Sequence, residues 1–184
     1  WDTGNIQYMI ATFDGCNNLT ELNCSTWNTG KVYNMQLAFY NCNSLETIPV
    51  RDWDTGNVVY MDKTFGNCTS LVNLDVSKWD TSKVVELTNT FYHCSSLKTL
   101  DVSKWKTSNV LRSDSLFSGC EKLTSLDVSK WDTGNITTAS GMFSACRALT
   151  NLDVSKWNTS KMTNISSMFN SCTALTTLDV SKWD

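Results

Sequence analysis

The sequence predicts an α/β repeat solenoid of seven 26-residue units, each with a short parallel strand and a short helix. Three observations predict it. All eight tryptophans fall on one spacing of 26: Trp1, Trp27, Trp53, Trp79, Trp105, Trp131, Trp157 and Trp183. The seven phenylalanines keep the same register (Phe13, Phe39, Phe65, Phe91, Phe117, Phe143, Phe169), as do Cys16, Cys42, Cys68, Cys94, Cys120, Cys146 and Cys172, leaving only Cys24 outside it. Leu19, Leu45, Leu71, Leu97, Leu123, Leu149 and Leu175 then follow each cysteine by three residues, and a second apolar residue follows by three more. One unit reads W-x-T-x-x-V-x-x-M-x-x-x-F-x-x-C-x-x-L-x-x-L-x-V-x-x, and 184 residues hold seven units with two residues over. A unit this short cannot bury its own apolar side, so units must stack into a continuous core. At about 4.8 Å per coil the array extends about 34 Å along its axis.

The elements of one unit follow in order. After each Trp comes a turn signal such as Asp54-Thr55-Gly56 or Asp80-Thr81-Ser82, residues that bend the chain through side-chain bonds to their own backbone. Next come Val58, Met61, Phe65 and Cys68, spaced three, four and three. That spacing predicts a helix of two to three turns with the Thr as N-cap and the apolar stripe inward. Leu97-x-x-Leu100-x-Val102 closes the unit. Its alternation predicts a strand with Leu100 and Val102 inward and Asp101 and Ser103 outward.

Composition narrows the function classes. With 41% apolar and 18% charged residues the chain is a folding sequence rather than a disordered one. A net charge of -3, one His and scattered Lys leave no basic stripe for nucleic acid. No apolar run approaches the roughly 18 to 20 residues that span a bilayer, so membrane insertion by this segment is not expected. Residues 1–184 read as one solenoid array, and the termini Trp1-Asp2-Thr3 and Lys182-Trp183-Asp184 read as a fragment of a longer repeat protein.

Recurring thiols 26 residues apart are not metal-ligand spacing, which uses close pairs, and His93 is the one histidine. A straight ladder of seven cannot be fully paired as disulfides, so the cysteines are expected to be reduced, buried thiols. Cys24 fits this, since its slot holds Val76, Val102, Val128, Val154 and Val180 later on. No phosphate loop, nucleophile with a His partner or separate carboxylate pair stands out from the repeat, so neither an enzyme nor a cofactor is expected.

The unit L-x-x-L-x-V with its F-x-x-C-x-x-L return, written out at 152–169 as Leu-Asp-Val-Ser-Lys-Trp-Asp-Thr-Ser-Lys-Met-Thr-Asn-Ile-Ser-Ser-Met-Phe, resembles the leucine-rich repeats of the BspA-like class of bacterial surface proteins. The resemblance covers the whole chain. It implies a cell-surface or extracellular setting and a role in adhesion or recognition, with a protein or glycan ligand on another cell. Asn23-Cys24-Ser25 and Pro49-Val50-Arg51 replace the usual Asp-Val-Ser early on, so strand pairing is expected to be least regular there.

Comparing the seven units separates what the fold dictates from what it leaves free. The slot seven after Trp reads Tyr8, Asn34, Tyr60, Glu86, Arg112, Thr138, Asn164, and the slot ten after reads Ala11, Leu37, Lys63, Asn89, Ser115, Gly141, Ser167. The outward strand residues hardly vary: Asp75, Asp101, Asp127, Asp153 and Asp179, each followed by Ser two residues on. All five tyrosines lie in the predicted helix zone or its exit, and tyrosine supplies contact area at low rotamer cost. The expected partner-binding surface is therefore Tyr8, Tyr33, Leu37, Tyr40, Tyr60, Lys63, Glu86, Tyr92 and Arg112, with Tyr33, Leu37 and Tyr40 on one helical ridge. Two alternatives compete. The uniform concave face of Asp75, Asp101, Asp127 and Asp153 would suit a polysaccharide, and the variable face could be the drift of a passive or antigenic stalk.

Overall fold

In a computed structural model describing residues 1–184, backbone hydrogen bonds run mainly between coils and across single turns. Of 86 backbone–backbone bonds none belongs to a helix or a continuous strand. With each Trp as the start of a coil, a parallel ladder passes through Tyr8, Asn34, Tyr60, Glu86, Arg112, Thr138 and Asn164, one residue per coil. A second ladder joins Thr47, Asn73 and Thr99 inside the predicted strand slot. The solenoid expectation is met with two thin parallel ladders and no helix.

The missing helix is the main correction. Between Leu87 and Cys94 every other N–H leaves the coil: Leu87, Asn89, Phe91 and His93 donate to the carbonyls of Arg112, Asp114, Leu116 and Ser118 in the next coil. The alternate amides of Thr90, Tyr92 and Cys94 donate three residues back to Leu87, Asn89 and Phe91. A helix would satisfy all these donors four residues back within the coil. Here the zigzag of turns leaves half of them for the neighbour. It also requires a left-handed backbone twice per coil, in the slots ten and fourteen after Trp: φ is 51° to 62° from Ala11 and Leu37 through Lys63 to Gly141 and Ser167, and 53° to 76° from Gly15 and Asn41 through His93 to Ser171. The apolar spacing still names the inward residues, because successive three-residue turns and a helix both return to one side every three or four residues. Val58, Met61, Phe65 and Cys68 are fully buried.

The threonine predicted as an N-cap instead links coils. Thr29, Thr55, Thr81, Thr107 and Thr133 are buried, and each Oγ1 donates to the carbonyl of the residue after the next Trp, at 2.9 to 3.1 Å. Tryptophan and cysteine make the reciprocal links backward. Trp53, Trp79 and Trp131 each donate an indole N–H to a carbonyl 29 residues earlier, at 3.2, 2.9 and 3.2 Å. Cys42, Cys68, Cys94, Cys120, Cys146 and Cys172 point their sulfurs at the phenylalanine carbonyl of the preceding coil, at 3.0 to 3.2 Å. All eight cysteines are free. These polar bonds satisfy donors inside a cluster of 45 buried apolar residues, where an unpaired donor would be costly. Two aromatic columns stack along it, with phenylalanine ring centroids 5.3 to 6.0 Å apart and tryptophan centroids 5.4 to 6.5 Å apart.

The strand slot keeps its predicted facing: Leu100 and Val102 are buried and Asp101 is exposed. Regularity falls at both ends: the coil of Asn23-Cys24-Ser25 forms no bridge in this slot and its contact, Glu46 to Thr20, is 3.4 Å, as expected, but the Pro49 coil is regular. Bridges form across coils two to four, including the Pro49 coil, whereas later contacts stretch to 3.4 Å for Thr124 to Lys98 and 3.5 Å for Thr150 to Thr124. Pro49 itself sits outside the paired residue, Thr47, so its missing N–H costs the ladder nothing.

Three outcomes follow from this packing. Trp105→Ala removes one member of a stacked column and its bond to Val76, so chemical denaturation should show a loss of about 3 to 5 kcal/mol. A loss below about 1 kcal/mol would place the indole outside the core. Leu37 holds φ at 58°, which disfavours a branched side chain. Leu37→Asn should therefore raise stability by about 1 kcal/mol, and an unchanged or lowered melting point would mean that its side-chain packing outweighs the backbone strain.

The thiols supply the third. Burial pushes Cys24 and Cys42 up to about 11 and Cys120 up to about 12, and raises Cys68, Cys94 and Cys146 as well. The unfolded chain loses these protons near pH 8.5, about where free thiols ionise, while the folded chain keeps them. Stability from this source is fully present below about pH 8.5 and is lost progressively as pH rises toward 11 to 12. Urea titrations across that range, with alkylation of the buried cysteines read by mass, should show the decline and labelling only on unfolding. Prompt alkylation of Cys94 at pH 8 in the native state would contradict it.

Candidate functional site

Ligand-sized features lie on two surfaces, one over each ladder. Over the first ladder Tyr8, Tyr33 and Tyr60 meet edge to face, with centroids 6.3 and 5.5 Å apart. Tyr8 is 61% exposed and Tyr33 40%. The backbone holds these rings in register, since Tyr8, Asn34 and Tyr60 are successive ladder residues and the Tyr33 N–H donates to Gln7 while its carbonyl accepts from Val59.

The sequence reading missed the slot six after Trp: Gln7, Tyr33, Val59, Val85, Leu111, Thr137, Thr163. Its amides form a continuous series, Val59 to Tyr33, Val85 to Val59 and Leu111 to Val85. Leu111 is 47% exposed and Val59 and Val85 are half-buried, so an apolar stripe continues the tyrosines into the fifth coil. Tabulating that slot would have revealed it, because apolar residues there have no core to face. A polar border runs alongside, in which Lys31 and Lys83 donate to Asn5 and Asn57 at 2.8 and 2.6 Å.

The other predicted contact residues separate into smaller groups. Tyr33, Leu37 and Tyr40 do not share a helical ridge, because there is no helix. Leu37 is half-buried at its left-handed turn, and the Tyr40 ring lies over Gly66, where a Cβ would come within 2.8 Å of it. The Lys63 ammonium sits 6.0 Å from the Tyr40 centroid. Tyr92 packs on His93 at 4.2 Å, and His93 covers Gly119. No ring contact joins these to the Tyr8 group. Glu86 and Arg112 satisfy each other: the Arg112 Nε is 3.7 Å from Glu86 and 3.9 Å from Asp114. Asp114 also accepts from Thr138 Oγ1 and the Ser140 amide.

Over the second ladder lies a groove of about 800 Å³, floored by Leu74, Leu100 and Leu126 and walled by Asp75, Asp101, Asp127 and Asp153 on one side and Asn73, Thr99, Ser125 and Asn151 on the other. The structure thus brings together all four aspartates proposed for the alternative face. Each occupies an Asx turn: one carboxylate oxygen accepts both the amide and the hydroxyl of the serine two residues on, at 3.0 and 2.6 Å for Asp75 and at 3.1 and 2.7 Å for Asp127. The serine hydroxyl and amide hold the carboxyls of Asp75, Asp127 and Asp153 below the usual range. The uniform Asp-x-Ser is thereby explained locally, since it bends each strand into the next Trp.

The comparisons agree with this geometry. Residues 1–100 and 85–184 match the family described as Mycoplasma protein of unknown function, DUF285. The fold is similar to that of a leucine-rich cell surface protein from Faecalibacterium prausnitzii, at TM-score 0.54 and 24% identity over 87% of this chain and 38% of that one. A leucine-rich repeat protein from Bacteroides ovatus aligns at TM-score 0.44 and 19% identity over 92% of this chain and 57% of that one. The chain thus spans well under two thirds of either structure. A comparison with curated proteins finds no match. A family match over the whole length, on a solenoid whose cysteines, tryptophans and leucines repeat as one unit, places the chain in the DUF285 family of BspA-like leucine-rich-repeat proteins.

Proposed function

We propose that this segment is a cell-surface recognition module that holds a protein of another cell on the apolar stripe of the first ladder. The observation carrying this reading is the run of Tyr8 and Tyr33, exposed, and Tyr60, half-buried, each ring meeting the next and the run continued by Val59, Val85 and Leu111. A contiguous apolar surface edged by polar residues is how protein partners are bound, with aromatic anchors central and hydrogen-bonding groups at the rim. Rings held on a hydrogen-bonded ladder lose little freedom on binding. The surface setting is supported by the fold shared with the Faecalibacterium cell surface protein.

The test is a binding screen against cell-surface proteins and glycans. For any protein captured, Tyr33→Ser with Tyr60→Ser should weaken binding by at least about 2 kcal/mol while the melting transition stays nearly constant. A second reading, an extended polysaccharide in the second-ladder groove, is favoured by the groove's length and by the second carboxylate oxygen that the turns leave over on Asp101, Asp127 and Asp153. Asp101→Asn with Asp127→Asn keeps the turn acceptor and removes the charge. Loss of binding on that change, with the tyrosine variant unaffected, would move the site to the groove.

A further inference from the structure

Two rows of opposite charge run side by side along the solenoid. The residue 22 after Trp is Asp75, Asp101, Asp127, Asp153 and Asp179 from the third coil on, and the residue 25 after is Lys78, Lys104, Lys130, Lys156 and Lys182. All ten are exposed. They are near enough to feel each other: Lys130, Lys156 and Lys182 each help lower the carboxyl of the aspartate three residues before.

The second coil shows how such rows are satisfied. It carries reversed charges, with Asp52 in the lysine slot and Arg51 beside the aspartate row. Lys78 reaches Asp52 at 2.6 Å and Arg51 reaches Asp75 at 3.0 Å, so the third coil is neutralised from within the chain. From the fourth coil on each row keeps one sign, so within its own row a neighbouring coil offers only repulsion. Lys104, Lys130, Lys156 and Lys182, with Asp101, Asp127, Asp153 and Asp179, enter no ion pair. A linear polyanion on the lysines would meet the aspartates beside them, and a polycation on the aspartates would meet the lysines. A partner needs both rows at the same period, and this sequence carries both.

We propose that the double row pairs with a second copy of this chain, the two solenoids lying side by side about a two-fold axis parallel to their own axes. That rotation sets the aspartate row of each copy over the lysine row of the other, giving two ion pairs per coil from the fourth coil to the seventh, an isologous interface. The reversed charges of the second coil mark where the pairing ends. The surface is separate from the tyrosine stripe and stands or falls independently of it, while it shares Asp101, Asp127 and Asp153 with the second-ladder groove.

Sedimentation of the whole 184-residue chain tests it. At low ionic strength dimers should form, and their dissociation constant should rise at least about tenfold as salt approaches about 1 M, where screening shortens to about 3 Å. Lys130→Asp with Lys156→Asp should abolish dimers, as should Asp127→Lys with Asp153→Lys, while an equimolar mixture of the two variants should restore a heterodimer. If the second variant fails to fold for want of its Asx turns, Lys130→Gln with Lys156→Gln should abolish dimers that Lys130→Arg with Lys156→Arg retains. A chain that stays monomeric at low salt and high concentration, or a dimer indifferent to these charges, overturns the proposal.

Discussion

Hydrogen bonding from each coil to the next fixes the spacing on which everything else rests. A 26-residue coil contains too few contacts to be stable alone, and every other amide from the eighth to the fourteenth residue after Trp has a partner only because a similar coil lies on the next level. Once the ladder sets that level, the buried threonine, tryptophan and cysteine donors find carbonyls 25 or 29 residues away, and the rings of successive coils meet at stacking distance. The core is thus a set of columns rather than a packed jigsaw. Replacing one column member affects the coil before and the coil after, which is why the phenylalanine, cysteine and first leucine slots admit one residue type each.

This constraint explains which features were legible in the sequence. Inward residues were, because both a helix and a zigzag of turns return to one side every three or four residues, so Met61, Phe65 and Cys68 are buried either way. The element joining them was not. What distinguishes the two backbones is the left-handed residue ten after Trp, and that slot holds Leu37, Lys63 and Ser115 in place of a recurring glycine. Gly141 alone carries the usual signal there. Coil-to-coil hydrogen bonds supply what the side chains do not, since each left-handed residue donates to the next coil, as Leu37 does to Asp62 and Lys63 to Thr88. A conformation imposed by a neighbour leaves no mark in local propensity.

The same reasoning revises the meaning of variation among the units. The expected contrast was between a constrained strand and a free helix face. Both faces are in fact ladders, and both are constrained in backbone. Aspartate is uniform because its carboxylate closes an Asx turn that aims the following Trp at the core. The slot seven after Trp is diverse because its contribution to the fold is made by backbone atoms alone, so Tyr8, Asn34, Glu86 and Arg112 pair equally well. Diversity there shows freedom from the fold. The clustering of apolar residues within that freedom, Tyr33 followed by Val59, Val85 and Leu111 one slot away, is what freedom alone does not explain.

Periodicity also decides how the surface can bind. A groove or stripe repeated at the coil spacing presents the same group at each level, so a partner that follows the period adds one set of contacts per coil. Contacts that are individually weak, such as exposed ion pairs worth at most about 1 kcal/mol, then accumulate along the axis without any single strong residue. Irregular features act in the opposite way, as ends. Arg51 and Asp52 close the charged rows at the third coil, and the pairing of Glu86 with Arg112 places a charged cluster beside the far end of the apolar stripe. Length of contact on this solenoid is therefore set by where the repeat is broken, and the departures from the consensus carry as much binding information as the consensus itself.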